Sequence, residues 1–511
     1  MTFLKNHYKV RKKNESSGES IDELTWNDLD MDTVFKRINY TKTSLGEAYL
    51  YYKLREISYN EDEWTSLEKL TNLFTINEEL RTKVSLLLLK VGKLNDLNLT
   101  NFIYNPKFSK IPSYYKYPLL SLGFIFSIFL SFIYTKVGLI LSFIFLCINI
   151  LSYQSEKIFL EDRFKVMIYL LNNINLCISL SKIKDKDFEF FRNEISSALH
   201  NFKALNMVKI YGNSFQKKEN AFTDIDIIFD YIKMFFMVDI IAFQNSVKIL
   251  EKNKENLYKI YNIVAKLDFA LSLAYYRKSL GEYTIPEFVE SDDISLENLY
   301  HPLIDNPIKN SILIKNNILF IGSNASGKST FIKAVALNCI LAQSLNSALC
   351  SKYRCKFSRV VTSIAIKDNI LAGDSYFIAE IKSLKRLLDS LNGEIRVLAF
   401  VDEILKGTNT IERISASASI LKYAENTNGI LLLVATHDME LTQILETYEN
   451  FHFSETVTED GVTFDYKLKK GPSNTRNALK LLKAMNFNNE VVSLSNQVYN
   501  NFIETEKWGK L

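Results

Sequence analysis

Two stretches without a charged side chain, Tyr117–Tyr134 and Val137–Tyr153, stand back to back with only Thr135 and Lys136 between them. Each is about 17–18 residues long, roughly 26 Å as an α-helix, against a membrane hydrocarbon core of about 30 Å. Both are apolar on every face, unlike an amphipathic helix half-exposed to water. The pair can be a membrane hairpin or a helical pair buried in a large core. Core helices of this length ordinarily keep a polar stripe, so the hairpin is the expectation. Tyr114, Tyr115, Tyr117, Tyr134 and Tyr153 cluster at the ends, as interfacial aromatics do. Lys107, Lys110 and Lys116 precede the first span, Lys157, Arg163 and Lys165 follow the second, and only Lys136 lies in the turn. That bias puts both termini in the cytoplasm. With no ionisable group inside either span, the hairpin reads as an anchor rather than an ion or substrate path.

At 511 residues the chain exceeds one ordinary core and implies two to four domains. Hydrophobic residues at 47% and charged residues at 23% mark a folded protein rather than a disordered one. A net charge of +4 is too small to signal nucleic-acid binding, so any such surface must be a local patch. Scarce glycine (16) and proline (7) predict long helices. The cysteines, 147, 177, 339, 350 and 355, are scattered and odd in number, which argues against a disulfide framework. Cys350 and Cys355 have no His or second Cys pair at zinc spacing. The N-terminal MTFLKNHYKVRKKNESSGES has no apolar core of a secretory signal and is expected to be a polar, basic tail. On either side of the hairpin, residues 21–116 and 154–295 read as helices. Ile260, Ile263, Val264, Leu267, Ala270 and Leu271, for example, recur at a helical period.

Further on, Asn317–Ile321 is a short apolar run fit for a buried strand. Gly322, Ser323, Asn324, Ala325, Ser326, Gly327, Lys328 and Ser329 follow and match G-x-x-x-x-G-K-[ST]; Thr330 opens a helical pattern. Small residues let such a loop fold around phosphates with its amides inward, at a helix N-terminus that favours an anion. Lys328 would reach the β- and γ-phosphates of ATP, and Ser329 would ligate Mg²⁺. Arg396–Glu403 is an apolar strand ending in two acids, the Walker B pattern. Asp402 would hold Mg²⁺ and Glu403 would orient or deprotonate the attacking water. A third apolar run, Gly429–Thr436, ends at His437, which is placed to contact the γ-phosphate. Three apolar strands alternating with helices imply a mostly parallel sheet with the site at the strand carboxyl ends.

In order, GSNASGKST, DNILAGDSYFIAEI, VDEILKGTNT and ATHDMELT resemble the ATPase domain of the MutS family. LYHPLI and LDFALSLAYYRK upstream, and TKTSLGEAYLYYKLRE near the start, resemble it more weakly. GPSNTRNALKLLKAMNF looks like the family's C-terminal dimerisation segment. The resemblance implies a homodimer with composite nucleotide sites. Ser375 would touch the γ-phosphate of the partner subunit's ATP, and Gly407, Thr408, Asn409 and Thr410 would face the partner. Asp374 stands where bacterial mismatch-repair members commonly carry a basic residue. About 20 residues precede the helical core, so the expectation is a form without the mismatch-reading and connector domains. The wedge tripeptide Phe-x-Glu occurs at Phe288, Phe453 and Phe502, far from the family's position for it. The resemblance implies that the hairpin stands in the place of the family's DNA clamp.

The expected fold is therefore an α/β P-loop NTPase domain of the ABC/MutS type. It follows a mainly α-helical core or lever domain that a two-helix transmembrane hairpin interrupts. The boundaries are 1–20 (tail), 21–116 (first helical part), 117–153 (hairpin), 154–295 (second helical part), 296–470 (ATPase) and 471–511 (dimerisation). The expected function is a membrane-anchored, MutS-like ATPase using ATP and Mg²⁺, with DNA binding implied by resemblance alone. The alternative is a membrane mechanochemical ATPase or scaffold that does not bind DNA.

Overall fold

The computed structural model describes residues 1–15, 19–57, 61–94, 96–104, 115–200, 202, 231–323, 326–364, 376–390, 395–427, 429–458, 461–472, 479, 482, 487–505 and 507–508. The chain divides into two compact units. One comprises Met1–Ser16, Asn39–Tyr52 and Asp62–Lys278; the other comprises Ser17–Ile38, Lys53–Glu61 and Ser279–Leu511.

The first unit is helical. Its N-terminal stretch is a helix, Thr2–Glu15, rather than the polar tail that its composition suggests. Phe3, Leu4, His7 and Arg11 recur at helical spacing and are buried, so one face packs while the lysines stay outside. The Arg11 guanidinium lies 5.0 Å from the Tyr49 ring centre and 4.2 Å from that of Tyr52, and pairs with Glu15 at 2.9 Å.

Two stretches that resemble the family's helical core meet at one buried carboxylate. Asp268, on the helix Lys254–Ser279, is fully buried. It accepts from the backbone amides of Lys42 (3.0 Å) and Thr43 (2.7 Å) and from the Thr43 hydroxyl (2.7 Å). Those amides lead into the helix Ser44–Arg55, so the acid acts at an N-terminus where backbone donors lack partners. A Cβ on Gly46 would lie 2.2 Å from Asp268 Oδ2, so only glycine lets the carboxylate come this close. At the far end of the same long helix, buried Arg277 grips Glu68 through two bonds of 2.5 and 2.9 Å.

The two apolar stretches form an antiparallel helical pair, Lys116–Ile133 and Thr135–Leu180. The second runs for 46 residues, about 70 Å, so it continues well past its apolar half. Gly123 faces the Phe145 ring, Ser127 and Ser142 share a 3.0 Å hydrogen bond, and Gly138 faces the Ser131 backbone. Small residues along this seam let the helices approach closely. Windows Lys116–Ile133 and Thr135–Glu156 are long and apolar enough to cross a membrane, and only 17% and 11% of them is buried. Their apolar side chains are therefore mostly uncovered, unlike those of core helices.

The second unit is built on a six-stranded sheet. Its strands, in chain order, are β1 (Glu19–Ser20), β2 (Glu56–Ile57), β3 (Glu287–Phe288), β4 (Ile294–Leu299), β5 (Asn310–Ile314), β6 (Ile318–Ile321) and β7 (Lys352–Cys355). There follow β8 (Arg359–Ser363), β9 (Val397–Asp402), β10 (Ile430–Thr436), β11 (Glu449–His452), β12 (Glu455–Thr458), β13 (Gly461–Phe464) and β14 (Lys469–Lys470). The sheet order is β14-β11-β6-β10-β9-β8, parallel throughout except for β14 at one edge. β6, β9 and β10 are the three strands that the apolar runs predict, and they are buried on both faces, as parallel strands are. β3-β7-β4-β5 form a second sheet, β12 and β13 a hairpin, and β1 pairs with β2.

The helices Glu23–Asp28 and Met31–Ile38 belong with this sheet, although their sequence groups them with the helical core. The reason is the edge strand β8, whose backbone needs partners. The Thr362 amide donates to Thr25 Oγ1 at 3.2 Å, and the Ile364 amide and Thr362 hydroxyl donate to Asp28 at 2.9 and 2.7 Å. Of the C-terminal stretch 471–511, the helix Asn489–Thr505 is described and buries no residue. Most of GPSNTRNALKLLKAMNF lies outside the described residues.

Gly46→Ala is expected to destabilise the first unit by about 1–3 kcal/mol, because Asp268 is bonded in place and cannot retreat. A urea midpoint unchanged from that of the natural chain would contradict this.

Candidate functional site

The site forms where three strands end together. Parallel pairing sets Ile321 at the end of β6 opposite Thr436 at the end of β10, and Ala435 opposite Asp402 at the end of β9. The loop after β6 turns at Gly322 and closes at Gly327, whose φ of 107° suits glycine alone. Gly327 caps the helix Lys328–Leu345, so that helix N-terminus points into the loop. Lys328 Nζ donates to the carbonyls of Gly322 and Ser323 at 2.6 and 2.7 Å. Burial pulls its pKa down, while Glu403, Asp402 and Glu455 push the other way. Ser326 is buried with its hydroxyl unpartnered, and Thr330 is exposed. Asn324 and Ala325 lie outside the described residues, as do Asp374 and Ser375.

Ser329 hydrogen-bonds to Asp402, whose pKa is raised, first by burial. Asp402 Oδ1 is buried without a protein partner. A hydroxyl beside a half-satisfied carboxylate, next to a phosphate-type loop, suits a hard cation with oxygen ligands, so these residues fit Mg²⁺.

Glu403 sits at φ 50°, a left-handed conformation that turns its side chain out of the strand line. Its amide still bonds to the Ala435 carbonyl at 2.9 Å. The carboxylate pairs with Lys406 and faces His437 Nδ1 at 3.8 Å. His437 and Lys406 hold the Glu403 pKa down to about 2, against the effect of burial. The His437 pKa is raised in turn, chiefly by Glu403. Lys328, Ser329, Asp402, Glu403 and His437 are thus brought together at the strand ends.

Sequence reasoning missed a supporting set. Arg413, on the helix Thr410–Glu425, grips Asp438 through two bonds of 2.6 and 3.0 Å. Asp438 also lies 3.7 Å from His437 Nε2, so Glu403 and Asp438 bracket the imidazole. Asn409, expected to face a partner, accepts from the Glu412 amide at 3.0 Å and caps that helix. Glu380, on the helix Tyr376–Asp389, is buried and accepts from the amides of Lys406 (3.1 Å) and Gly407 (3.4 Å). Glu455, the acid of one stray Phe-x-Glu, bonds to the Ser323 hydroxyl, and Tyr466 lies against Gly327. Lys406, three residues after Glu403, had a legible spacing; the others meet only through the fold.

The family model for MutS domain V matches residues 318–503. The DNA mismatch repair protein MutS of Fusobacterium nucleatum subsp. nucleatum is 31% identical over 267 residues, which is 50% of this chain and 29% of that protein. MutS protein homolog 4 of Homo sapiens is 32% identical over 240 residues, 43% of this chain and 25% of its own length. The DNA mismatch repair protein MutS of Natronomonas pharaonis is 31% identical over 229 residues, 42% of this chain and 26% of that protein. The chain spans under a third of the length of these relatives.

Glu380→Ala is expected to leave the Lys406 and Gly407 amides without their acceptor, at about 1–3 kcal/mol. Hydrogen exchange should quicken across residues 404–408 and stay slow in β9. Equal protection of the 404–408 loop in both proteins would contradict the role.

Proposed function

The chain belongs to the MutS family, and on that premise we propose that it is a membrane-anchored ATPase, converting ATP and water to ADP and phosphate at composite sites of a homodimer. The observation that carries this reading is the convergence of Lys328, Ser329, Asp402, Glu403 and His437 at the carboxyl ends of β6, β9 and β10.

Lys328 exchanges the carbonyls of Gly322 and Ser323 for the β- and γ-phosphates, whose charge the helix N-terminus also favours. Ser329 and Asp402 would hold Mg²⁺, which offsets the charge on the phosphoryl oxygens. Glu403, at a pKa of about 2, is a weak base while Lys406 shares its carboxylate. Withdrawal of Lys406 would raise its basicity and free it to orient and deprotonate the attacking water. His437, set by Glu403 on one side and Asp438 on the other, would contact the γ-phosphate. Ser375 of a second copy would complete the site.

The helices Lys116–Ile133 and Thr135–Leu180 would anchor the protein with both termini and the ATPase unit in the cytoplasm, as their uncovered apolar faces and flanking lysines favour. A DNA-linked switch is supported by relatives named for DNA mismatch repair. The hairpin favours a second reading, a mechanochemical ATPase acting on the bilayer without DNA.

Lys328→Ala should abolish binding of a fluorescent ATP analogue; unchanged affinity would remove the site. Glu403→Gln should keep that binding and lower turnover by about 10²–10⁴-fold, with an ATP-bound dimer accumulating. Turnover at the natural rate in that variant would refute the role. Removal of residues 117–153 should move the protein from the membrane to the soluble fraction; continued sedimentation with membranes would contradict the anchor. Stimulation of turnover by mismatched or branched DNA would support the DNA-linked reading, and its absence the bilayer one.

A further inference from the structure

The run Tyr231–Phe243, YIKMFFMVDIIAF, is apolar apart from Lys233 and Asp239 and is too short to cross a bilayer. Apolar segments of about 10–14 residues are core helices or re-entrant and interfacial elements. Its contacts decide between these.

Residues 231–236 are helical, Met237 breaks the helix with a left-handed backbone at φ 50°, and a new helix runs from Val238 to Lys252. The break seats against the two long apolar helices. Met237 and Ile240 are buried against Tyr117 and Tyr153, and Leu120 and Met234 pack around them. The Phe236 ring lies 5.4 Å from that of Phe124, and Asn149 Nδ2 donates to the Phe235 carbonyl at 2.8 Å. Asp239 accepts from the Tyr153 hydroxyl at 3.1 Å.

These partners set a depth. Phe124 is eight residues past Lys116 and Asn149 is seven before Glu156, which is about 12 and 10 Å along their helices. Phe235 and Phe236 thus sit well inside the apolar windows, while Asp239 sits beside Tyr153 near their charged ends. A helix break frees backbone carbonyls, which hydrocarbon cannot satisfy. Asn149, fully buried in an otherwise apolar stretch, satisfies one of them. Away from the hairpin, Tyr231, Ile232 and Val238 remain 52%, 41% and 37% exposed.

We infer that residues 231–243 form a third membrane element, a re-entrant wedge whose outer face enters the acyl region of the cytoplasmic leaflet. The inference rests on the reading of 117–153 as a membrane hairpin. Lipid is the occupant because the wedge packs on the uncovered spans, with Phe235 and Phe236 at the depth of Asn149 and Phe124, and still leaves Tyr231, Ile232 and Val238 exposed. Its acid, Asp239, lies beside the hairpin's Tyr153 at the boundary, as a polar rim does, and its other charged residue, Lys233, is half-buried.

The test is collision accessibility of a nitroxide on the full chain in nanodiscs of phosphatidylcholine and phosphatidylglycerol. Cys147 is replaced by Ser, and the other four cysteines are buried. Labels go on Ile232→Cys and Val238→Cys, with Ile140→Cys as the hairpin reporter and the 84% exposed Ile76→Cys as the aqueous one. All four side chains are exposed, so folding is not at risk. The expected result is an oxygen-to-nickel accessibility ratio at 232 and 238 several-fold above that at 76 and on the side of 140. An aqueous ratio at both positions with a lipid ratio at 140 overturns the wedge and leaves the hairpin standing. Aqueous ratios at all four overturn both.

Discussion

The in-register parallel pairing of β6, β10 and β9 is the constraint on which the site depends. Ile321 faces Thr436, and Ala435 faces Asp402, so three loops leave the sheet at one level. A slip of one residue in β9 would turn Asp402 to the other face of the sheet. The pairing is held by side chains buried on both faces, Leu319, Val401, Leu432 and Val434 on one and Phe320, Phe400 and Leu433 on the other. Two strained positions, Glu403 and Leu405 at φ 50° and 56°, then bend the chain away from the strand. Glu380 holds the bend from a neighbouring helix by accepting from two of its amides. The position of Glu403 therefore follows from the register of the sheet and from a carboxylate more than twenty residues before it in sequence.

Buried carboxylates do similar work elsewhere in the chain. Asp268 collects the amides that lead into one helix, and Asp28 completes the open edge of the sheet at β8. In each case a single acid joins stretches separated by more than two hundred residues. This explains how short N-terminal stretches come to belong to different units: residues 39–52 meet Asp268, whereas 17–38 meet β8.

Patterns with local physics were legible in the sequence. The phosphate-type loop, the acid pair and the histidine each follow an apolar strand, and the strands lie where their runs place them. The helical pair was legible because its two apolar runs are long and nearly free of charge. The helix Thr2–Glu15 was hidden by its lysines, which mask a face carried by Phe3, Leu4, His7 and Arg11. Arg413, Asp438, Glu380 and Glu455 were not legible, because ion pairs and capped loops depend on which elements the fold brings side by side. The run 231–243 has no signal of its own, since its length suits a core helix equally well.

We propose that the strand ends form a working phosphoryl-transfer site. The most direct measurement is phosphate release from ATP by the full chain in nanodiscs, with Mg²⁺ and with EDTA. Steady release that stops when the cation is removed is expected, because Ser329 and Asp402 would hold the cation. A folded preparation that binds ATP and releases no phosphate in either condition would contradict it.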